Sequence, residues 1–122
     1  MPTRTPTITQ PDADRLPGNW AVIQWAGLLN TDDGAPVDLV PYADRSIQVT
    51  GTFGTGGNCR IEGSIDGTNW ATLTDPQGNS LDVAVAKIEA ITELVRFIRP
   101  RITGGDGTTA LVATLLVRGT LR

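Results

Sequence analysis

The sequence contains no histidine and one cysteine, and these two scarcities exclude several kinds of chemistry. Without histidine there is no Ser-His-Asp triad, no Cys–His pair and no imidazole ligand for a metal. A single cysteine, Cys59, forms neither an intrachain disulfide nor a thiolate zinc site. Because Cys59 lies in a strand-like segment with no base near it in the sequence, we expect a small buried apolar residue.

Positive charge and long apolar runs are also scarce. The chain carries 10 lysines and arginines against 13 aspartates and glutamates, so binding to nucleic acid by phosphate neutralisation is not expected. The longest strongly apolar run, Ala110–Val117, is less than half of a membrane span. Residues 1–19 lack the apolar stretch of a secretory signal. We therefore expect synthesis in the cytoplasm and neither a membrane nor a nucleic acid as partner.

What is present suits one small globular domain. The chain has 122 residues, of which 39% are hydrophobic, enough for one modest core. Residues 1–18 contain four prolines among threonines and charged side chains, and proline disfavours helix. We expect an extended N-terminal arm over residues 1–18, either a flexible tail or a segment that orders on a partner. The folded domain is expected over residues 19–122.

Alternation of apolar and polar residues indicates β-strands. It is clearest in residues 47–53 and 59–65, two period-2 runs joined by the glycine-rich residues 54–57. These runs predict a β-hairpin with one buried face, which includes Ile65. Further extended segments are predicted at Trp20–Leu29, Val37–Val40, Trp70–Leu73, Leu81–Val85, Val95–Ile102 and Thr109–Arg118.

Three later segments refine the fold class. Residues 86–94 have helical spacing in part, so one or two helical turns are possible there. Pro100 indicates an edge or a bulge in its strand. Residues 109–118 are apolar on both faces, which predicts a central strand. Short strands separated by turn signals predict an all-β fold, an antiparallel, jelly-roll-like β-sandwich.

Acidic residues recur beside glycine at Asp33-Gly34, Asp66-Gly67 and Asp106-Gly107. None of these pairs lies in the alternating acidic pattern of a calcium loop, so turn chemistry is the better account. We expect no metal and no cofactor. Since the carboxylates lie mostly in turns and so short a chain rarely builds both a cleft and a core, we expect a protein that is not an enzyme.

The three tryptophans are candidates for contact. Trp20 and Trp25 follow the arm, where core and interface positions both remain open. Trp70 follows a tight turn, and we expect it in the core. Stacking of these rings on sugars is a further possibility, as in carbohydrate-binding modules.

A basic cluster is formed by Arg96, Arg99 and Arg101. Arg99 and Arg101 share one face of the predicted strand and Arg96 lies on the other, so no single stripe results. Phe97 is the one aromatic residue among them, whereas a nucleic-acid patch has more basic and interleaved aromatic residues. Salt bridging, on the surface or within a protein contact, is therefore favoured.

Three segments resemble a group of small structural proteins of tailed bacteriophages. In that group a G-S-x-D-G-T-N-W-x-x-L-T-D-P-x-G hairpin precedes an F/Y-I-R-P-R strand and a G-D-G-T hairpin. The resemblance covers roughly the C-terminal two-thirds of the chain and leaves the first 45 residues unmatched. The matching residues are Gly63, Ser64, Asp66–Trp70, Leu73–Pro76, Gly78, Phe97–Arg101 and Gly105–Thr108.

The resemblance implies a virion component, above all a head decoration (cement) protein on the capsid exterior. Such proteins bind the head as dimers or trimers and brace neighbouring subunits of the major capsid protein. We expect partner contacts in the arm, at the first two tryptophans and in the basic cluster. These residues are Pro2, Thr3, Arg4, Trp20, Trp25, Arg96, Arg99 and Arg101.

Two other functions remain open. The Ser64–Trp70 hairpin is also similar to one in discoidin-type carbohydrate-binding domains, which are longer and usually closed by a disulfide. A carbohydrate-binding β-sandwich module on a phage tail or baseplate is therefore the first alternative. Another head–tail structural protein is the second.

Overall fold

The computed structural model describes residues 3–10 and 19–119, and every regular element in them is a β-strand. The strands are β1 (Thr3–Arg4), β2 (Thr7–Thr9), β3 (Trp20–Leu29), β4 (Asp33–Gly34), β5 (Val37–Asp38), β6 (Asp44–Thr52), β7 (Asn58–Ser64), β8 (Ala71–Thr72), β9 (Asp82–Val83), β10 (Lys87–Ala90), β11 (Phe97–Thr103) and β12 (Ala110–Arg118).

The strands form two sheets that pack against each other. The seven-stranded sheet has the order β1-β4-β11-β7-β8, with β5 also paired to β11 and β9 to β7. The five-stranded sheet has the order β10-β6-β12-β3-β2. Among the described strands, β1 and β4 pair in parallel and the other pairs are antiparallel. The predicted all-β sandwich is confirmed.

The described part of the N-terminal arm is extended, but it belongs to the sandwich. β1 pairs with β4 in the seven-stranded sheet, and β2 pairs with β3 in the five-stranded sheet. Arg4 Nε donates to Asp32 Oδ2 over 2.9 Å, and the Asp32 side chain is 3% exposed. A flexible tail is therefore wrong for residues 3–9, because backbone pairing and a half-buried ion pair hold them. Residues 1–2 and 11–18 of the arm lie outside the described residues.

The hairpin predicted from residues 47–53 and 59–65 is wrong in its pairing. β6 lies between β10 and β12 in the five-stranded sheet, whereas β7 pairs with β11, β8 and β9 in the other sheet. The glycine-rich residues 54–57 thus cross between the sheets. Alternation requires one buried face in either arrangement, so it does not specify the partner strand. Because β7 ends at Ser64, Ile65 leaves the buried face and is 72% exposed.

Two other expectations for the later strands are settled by the pairing. The helical turn possible in residues 86–94 does not form, because Lys87–Ala90 pairs with β6 as a strand. β12 is central, between β6 and β3, as predicted. Only one of its faces is fully buried, however, since Leu116 on the other face is 49% exposed.

Pro100 lies in an interior strand at a place where the pairing is interrupted. On one side of β11, β5 pairs with Phe97 and Ile98 and β4 pairs with Arg101, which leaves Pro100 in the gap. A Cβ atom on Gly34 of β4 would lie 2.6 Å from Pro100 Cδ and 2.5 Å from Trp25 Cδ1. The missing side chain at Gly34 therefore lets β4 approach the proline closely.

The core lies between the two sheets and includes Cys59, as expected from the sequence. Burial, together with the charge of Asp82, raises the pKa of the Cys59 thiol to about 12. The buried hydrophobic residues are Ala21, Ile23, Trp25, Leu28, Leu39, Ile47, Val49, Cys59, Ile61, Leu73, Leu81, Val83, Ile91, Ile98, Ile102, Leu111, Ala113, Leu115 and Val117.

Candidate functional site

The described arm residues that were expected to contact a partner are engaged within the chain. Thr3 Oγ1 donates to Asp33 Oδ1 over 3.3 Å. The Arg4 guanidinium pairs with Asp32, as described above. Pro2 lies outside the described residues. Of these two residues, Thr3 is exposed and the Arg4 side chain is 35% exposed, so both keep some surface free for a partner.

The tryptophans take three different positions. Trp25 is fully buried, and its Nε1 donates to the Ala35 carbonyl over 3.0 Å, so the structure places it in the core rather than on an accessible surface. Trp20 is half-buried and lies opposite Arg118 in the pairing of β3 with β12. The core position expected for Trp70 is wrong, because the ring is half-buried beneath the Arg99 guanidinium, 4.0 Å from the ring centre.

Each arginine of the basic cluster pairs with an acid of the same chain. Arg99 Nε donates to Glu62 Oε1 over 3.0 Å, and Arg101 lies 4.0 Å from the other oxygen of Glu62. Arg96 pairs with Asp38 over 3.0 Å. The salt bridging that the sequence predicted is therefore present, with Arg96–Asp38 on the surface and with the Glu62 carboxylate buried. Arg99 is the most enclosed of the three, at 20% exposed, whereas Arg96 and Arg101 are 53% and 43% exposed.

A groove that the sequence did not reveal lies at the end of the sandwich where β7 ends and β6 and β11 begin. Val40, Ile65 and Leu94 come from three separate loops and are 65%, 72% and 67% exposed. They line a cavity of about 240 Å³ together with two arginines. We call this site the arginine groove, and its residues are Val40, Arg45, Ile65, Leu94, Val95 and Arg96.

A second cavity of about 390 Å³ adjoins the arginine groove and shares Ile65 and Val95 with it. A Cβ atom on Gly63 would lie 2.7 Å from Val95 Cγ2 and 2.8 Å from Leu73 Cδ2. The glycine therefore lets these two side chains pack directly against the backbone of β7. Together the two cavities give this end of the sandwich a largely aliphatic recess.

Local signals for the arginine groove exist in the sequence but are incomplete. Arg45 lies two residues before Ile47 and four before Val49, so strand periodicity places it on the buried face. Ile65 follows the last strand residue and precedes the Asp66-Gly67 turn. Nothing local indicates that Leu94, on a distant segment, meets them, because the contact depends on which strands share a sheet.

A few exposed aliphatic side chains also lie on the outer face of the five-stranded sheet. Ile88 is 67% exposed and Leu116 is 49% exposed. With Val22 they line a depression of about 250 Å³, otherwise bordered mainly by serine, threonine and glutamine side chains. The Arg118–Asp44 ion pair, at 2.8 Å, lies on the same face. This surface is a sheet face, whereas the arginine groove is a recess between loops.

The turn acids are occupied by hydrogen bonds. Asp66 Oδ1 accepts from the backbone N–H groups of Thr68 and Asn69, both over 2.8 Å. Asp106 accepts from the Thr108 hydroxyl and from the N–H groups of Thr55 and Thr108. These bonds hold the pKa of both carboxyls well below the usual range, because they favour the charged form. Turn chemistry is confirmed for Asp66 and Asp106.

The third acidic pair behaves differently, since Asp33-Gly34 forms the short strand β4. Within residues 3–10 and 19–119, no group of three or more acidic or cysteine side chains is arranged to hold a metal ion. The same residues contain no helix with the length and apolar character needed to cross a bilayer.

Comparison with known proteins gives little beyond this geometry. No family model and no curated protein matches the chain. A solved structure, protein NMB1881 from Neisseria meningitidis, aligns with 94% of this chain and 82% of its own, at 12% sequence identity and a TM-score of 0.41. A likeness this distant carries no conclusion about function.

Proposed function

We propose that this chain is a non-enzymatic decoration protein of a bacteriophage capsid. It binds the outer surface of the head and stabilises contacts between subunits of the major capsid protein, as a dimer or trimer. The proposal starts from the resemblance of three segments to phage structural proteins. It is supported by side chains that suit adhesion better than catalysis, since the turn acids are hydrogen-bonded and Cys59 is buried.

The observation that carries the proposal is the arginine groove. Three large aliphatic side chains are each about two-thirds exposed at one end of a rigid sandwich. Burying an exposed aliphatic side chain contributes about 1.5–3 kcal/mol. Three of them supply several kcal/mol before the cost of association is subtracted. Such a contact is weak alone, but repetition around a shell strengthens it when subunits are linked.

The segments that resemble phage proteins border this site. Ser64, Asp66 and Asn69 line the cavity adjoining the arginine groove. Phe97, at the start of the F-I-R-P-R strand, directly follows groove residue Arg96. Residues of the shared motif therefore surround the recess. This is expected if the resembling phage proteins attach through the same surface.

Co-sedimentation with expanded capsids of the parent phage tests the proposal. We expect Leu94→Asp to weaken binding about tenfold or more, because a charge replaces an apolar contact that is desolvated on binding. The matched control is Ile88→Asp, at the same 67% exposure but on the outer face of the five-stranded sheet. We expect this control to bind like the unmodified protein.

Two results would contradict this proposal. If the unmodified protein does not co-sediment with capsids, the capsid role is wrong. If Ile88→Asp abolishes binding and Leu94→Asp does not, attachment uses the sheet face and the arginine groove is not the site. Circular dichroism of both variants verifies that the sandwich is retained.

A further inference from the structure

Arg45 is the most buried arginine of the described chain and the one whose charge is not balanced there. Its side chain is 4% exposed. Nε donates to the Tyr42 carbonyl over 3.0 Å and Nη2 to the Leu39 carbonyl over 3.1 Å. Nη1 is buried and has no hydrogen-bond partner. These carbonyl contacts fix the loop before β6, but they do not neutralise the charge.

Every other arginine in residues 3–10 and 19–119 lies within ion-pair distance of a carboxylate. The pairs are Arg4–Asp32, Arg60–Asp82, Arg96–Asp38, Arg99–Glu62, Arg101–Glu62 and Arg118–Asp44. A buried charge without a counter-ion destabilises the fold. An anion that binds beside it offsets this desolvation penalty.

The acids near Arg45 are already engaged elsewhere. Asp44, its neighbour in the chain, pairs with Arg118. Glu93, which lines the adjoining cavity, accepts hydrogen bonds from the Thr74 N–H and hydroxyl groups. Within the described chain, Arg45 therefore lacks a counter-charge, and it lines both the arginine groove and a depression that Asp44 and Arg118 also line.

We propose that the arginine groove binds an acidic, apolar segment of a partner protein, with a carboxylate directed to Arg45 and aliphatic side chains against Ile65 and Leu94. Such a ligand matches both the guanidinium and the exposed aliphatic rim. A free phosphate would satisfy the charge but leave the rim uncovered. This inference rests on the proposed function in one respect, since the partner it describes would be the capsid subunit.

Chemical-shift mapping of the 15N-labelled full chain tests the inference. The probe is acetyl-Leu-Glu-Leu-amide, and its isosteric control is acetyl-Leu-Gln-Leu-amide. We expect the glutamate peptide to shift the amide signals of Val40, Ile65 and Leu94 and the Arg45 Nε signal. The glutamine peptide should bind about tenfold more weakly or worse, because it cannot neutralise the guanidinium.

Two variants test the arginine groove without substituting Arg45, whose buried side chain also stabilises the fold. Leu94→Asp, on an exposed position, places a negative charge in the arginine groove, and we expect it to abolish the shifts. Ile88→Asp should leave them unchanged. The inference is overturned if both peptides bind equally, if the shifts lie outside the arginine groove, if no shifts occur, or if inorganic phosphate alone reproduces them.

The peptide and capsid experiments fail separately. If the glutamate peptide binds but capsids are not bound, the inference stands and the capsid role is wrong. If capsid binding is lost in Leu94→Asp but the peptide does not bind, the capsid role stands and the acidic ligand is wrong.

Discussion

Gly34 shows how a single residue sets the approach of two strands. It lies on β4, where a side chain would meet both Trp25 in the core and Pro100 in β11. Proline in an interior strand is normally excluded by the ladder, and here a neighbouring glycine and an interruption of the pairing accommodate it. The requirement at Gly34 is for space, since its backbone angle is not among the left-handed ones.

We predict that Gly34→Ala lowers the free energy of unfolding by about 1–3 kcal/mol, because the added methyl overpacks the contact with Trp25 and Pro100. The matched control is Gly107→Ala, where a Cβ atom meets nothing within 4 Å. We expect that control to change stability by less than about 0.5 kcal/mol. Urea denaturation measures both, and equal effects would contradict the close approach.

Individual residues also show where prediction from local sequence pattern succeeds and where it fails. Periodicity placed Cys59 and Ile61 correctly in the core, because both lie inside a strand. It failed for Ile65, because the strand ends one residue earlier. Trp70 lies under Arg99, and a cation over an aromatic face has no signature in the sequence. Of these residues only Ile65 lines the arginine groove, and its exposure was missed because β7 ends before it.

At the scale of elements, the N-terminal segment joins the two sheets at one edge. β1 extends one sheet and β2 extends the other. Composition predicted that the segment is extended, but it did not predict the strands with which β1 and β2 pair. Short threonine-rich strands have too few apolar residues to show a pattern. A truncation that removes β1 and β2 would therefore change stability, and a point substitution tests a single contact of this segment.

We predict that Arg4→Ala lowers the free energy of unfolding by about 1–3 kcal/mol, because it leaves the buried Asp32 carboxylate without its counter-ion. Arg118→Ala is the control, since its pair with Asp44 is at least half exposed on both sides. Such surface pairs contribute about 0–1 kcal/mol. Thermal and urea unfolding measure both variants. No loss in Arg4→Ala would mean that β1 is not docked in solution.

The two acidic turns predict the response of the fold to acid. The pKa values of Asp66 and Asp106 are lower in the folded protein than in the unfolded chain. Their ionised forms therefore stabilise the fold at neutral pH, and this contribution is lost as pH falls from the usual carboxyl range through the folded pKa values.

We predict that Asp66→Asn/Asp106→Asn is less stable than the unmodified protein at about pH 7 but loses less stability on acidification to about pH 2. The difference arises because the variant no longer carries the two carboxylates that must be protonated. Urea midpoints at the two pH values measure it. Equal losses in both proteins would rule out a role for these carboxyls in acid stability.

Pairing between elements was less predictable than the elements themselves. The sequence predicted strands at residues 20–29, 47–53 and 109–118 from composition, alternation and an apolar run respectively, and the structure has strands at 20–29, 44–52 and 110–118. The exchange of β6 and β7 between sheets does not, because a glycine-rich connection serves a hairpin and a crossover equally well. The arginine groove depends on that exchange, since Arg45 comes from β6 and Ile65 follows β7.

At the scale of the whole molecule, two packed sheets present two different exposed apolar surfaces. The arginine groove combines aliphatic side chains with an arginine that has no counter-ion in the described chain, whereas the outer face of the five-stranded sheet carries a few aliphatic side chains among serine, threonine and glutamine. In the proposed role the first surface attaches to a capsid subunit.

Cryo-electron microscopy of the intact phage particle is the most direct test of attachment through the arginine groove. The account predicts many copies of the sandwich over the outside of the head, each with Val40, Ile65 and Leu94 against a major capsid protein subunit. Particles that lack the protein, or a few copies confined to the neck or tail, would contradict it. So would copies on the shell whose arginine groove faces solvent.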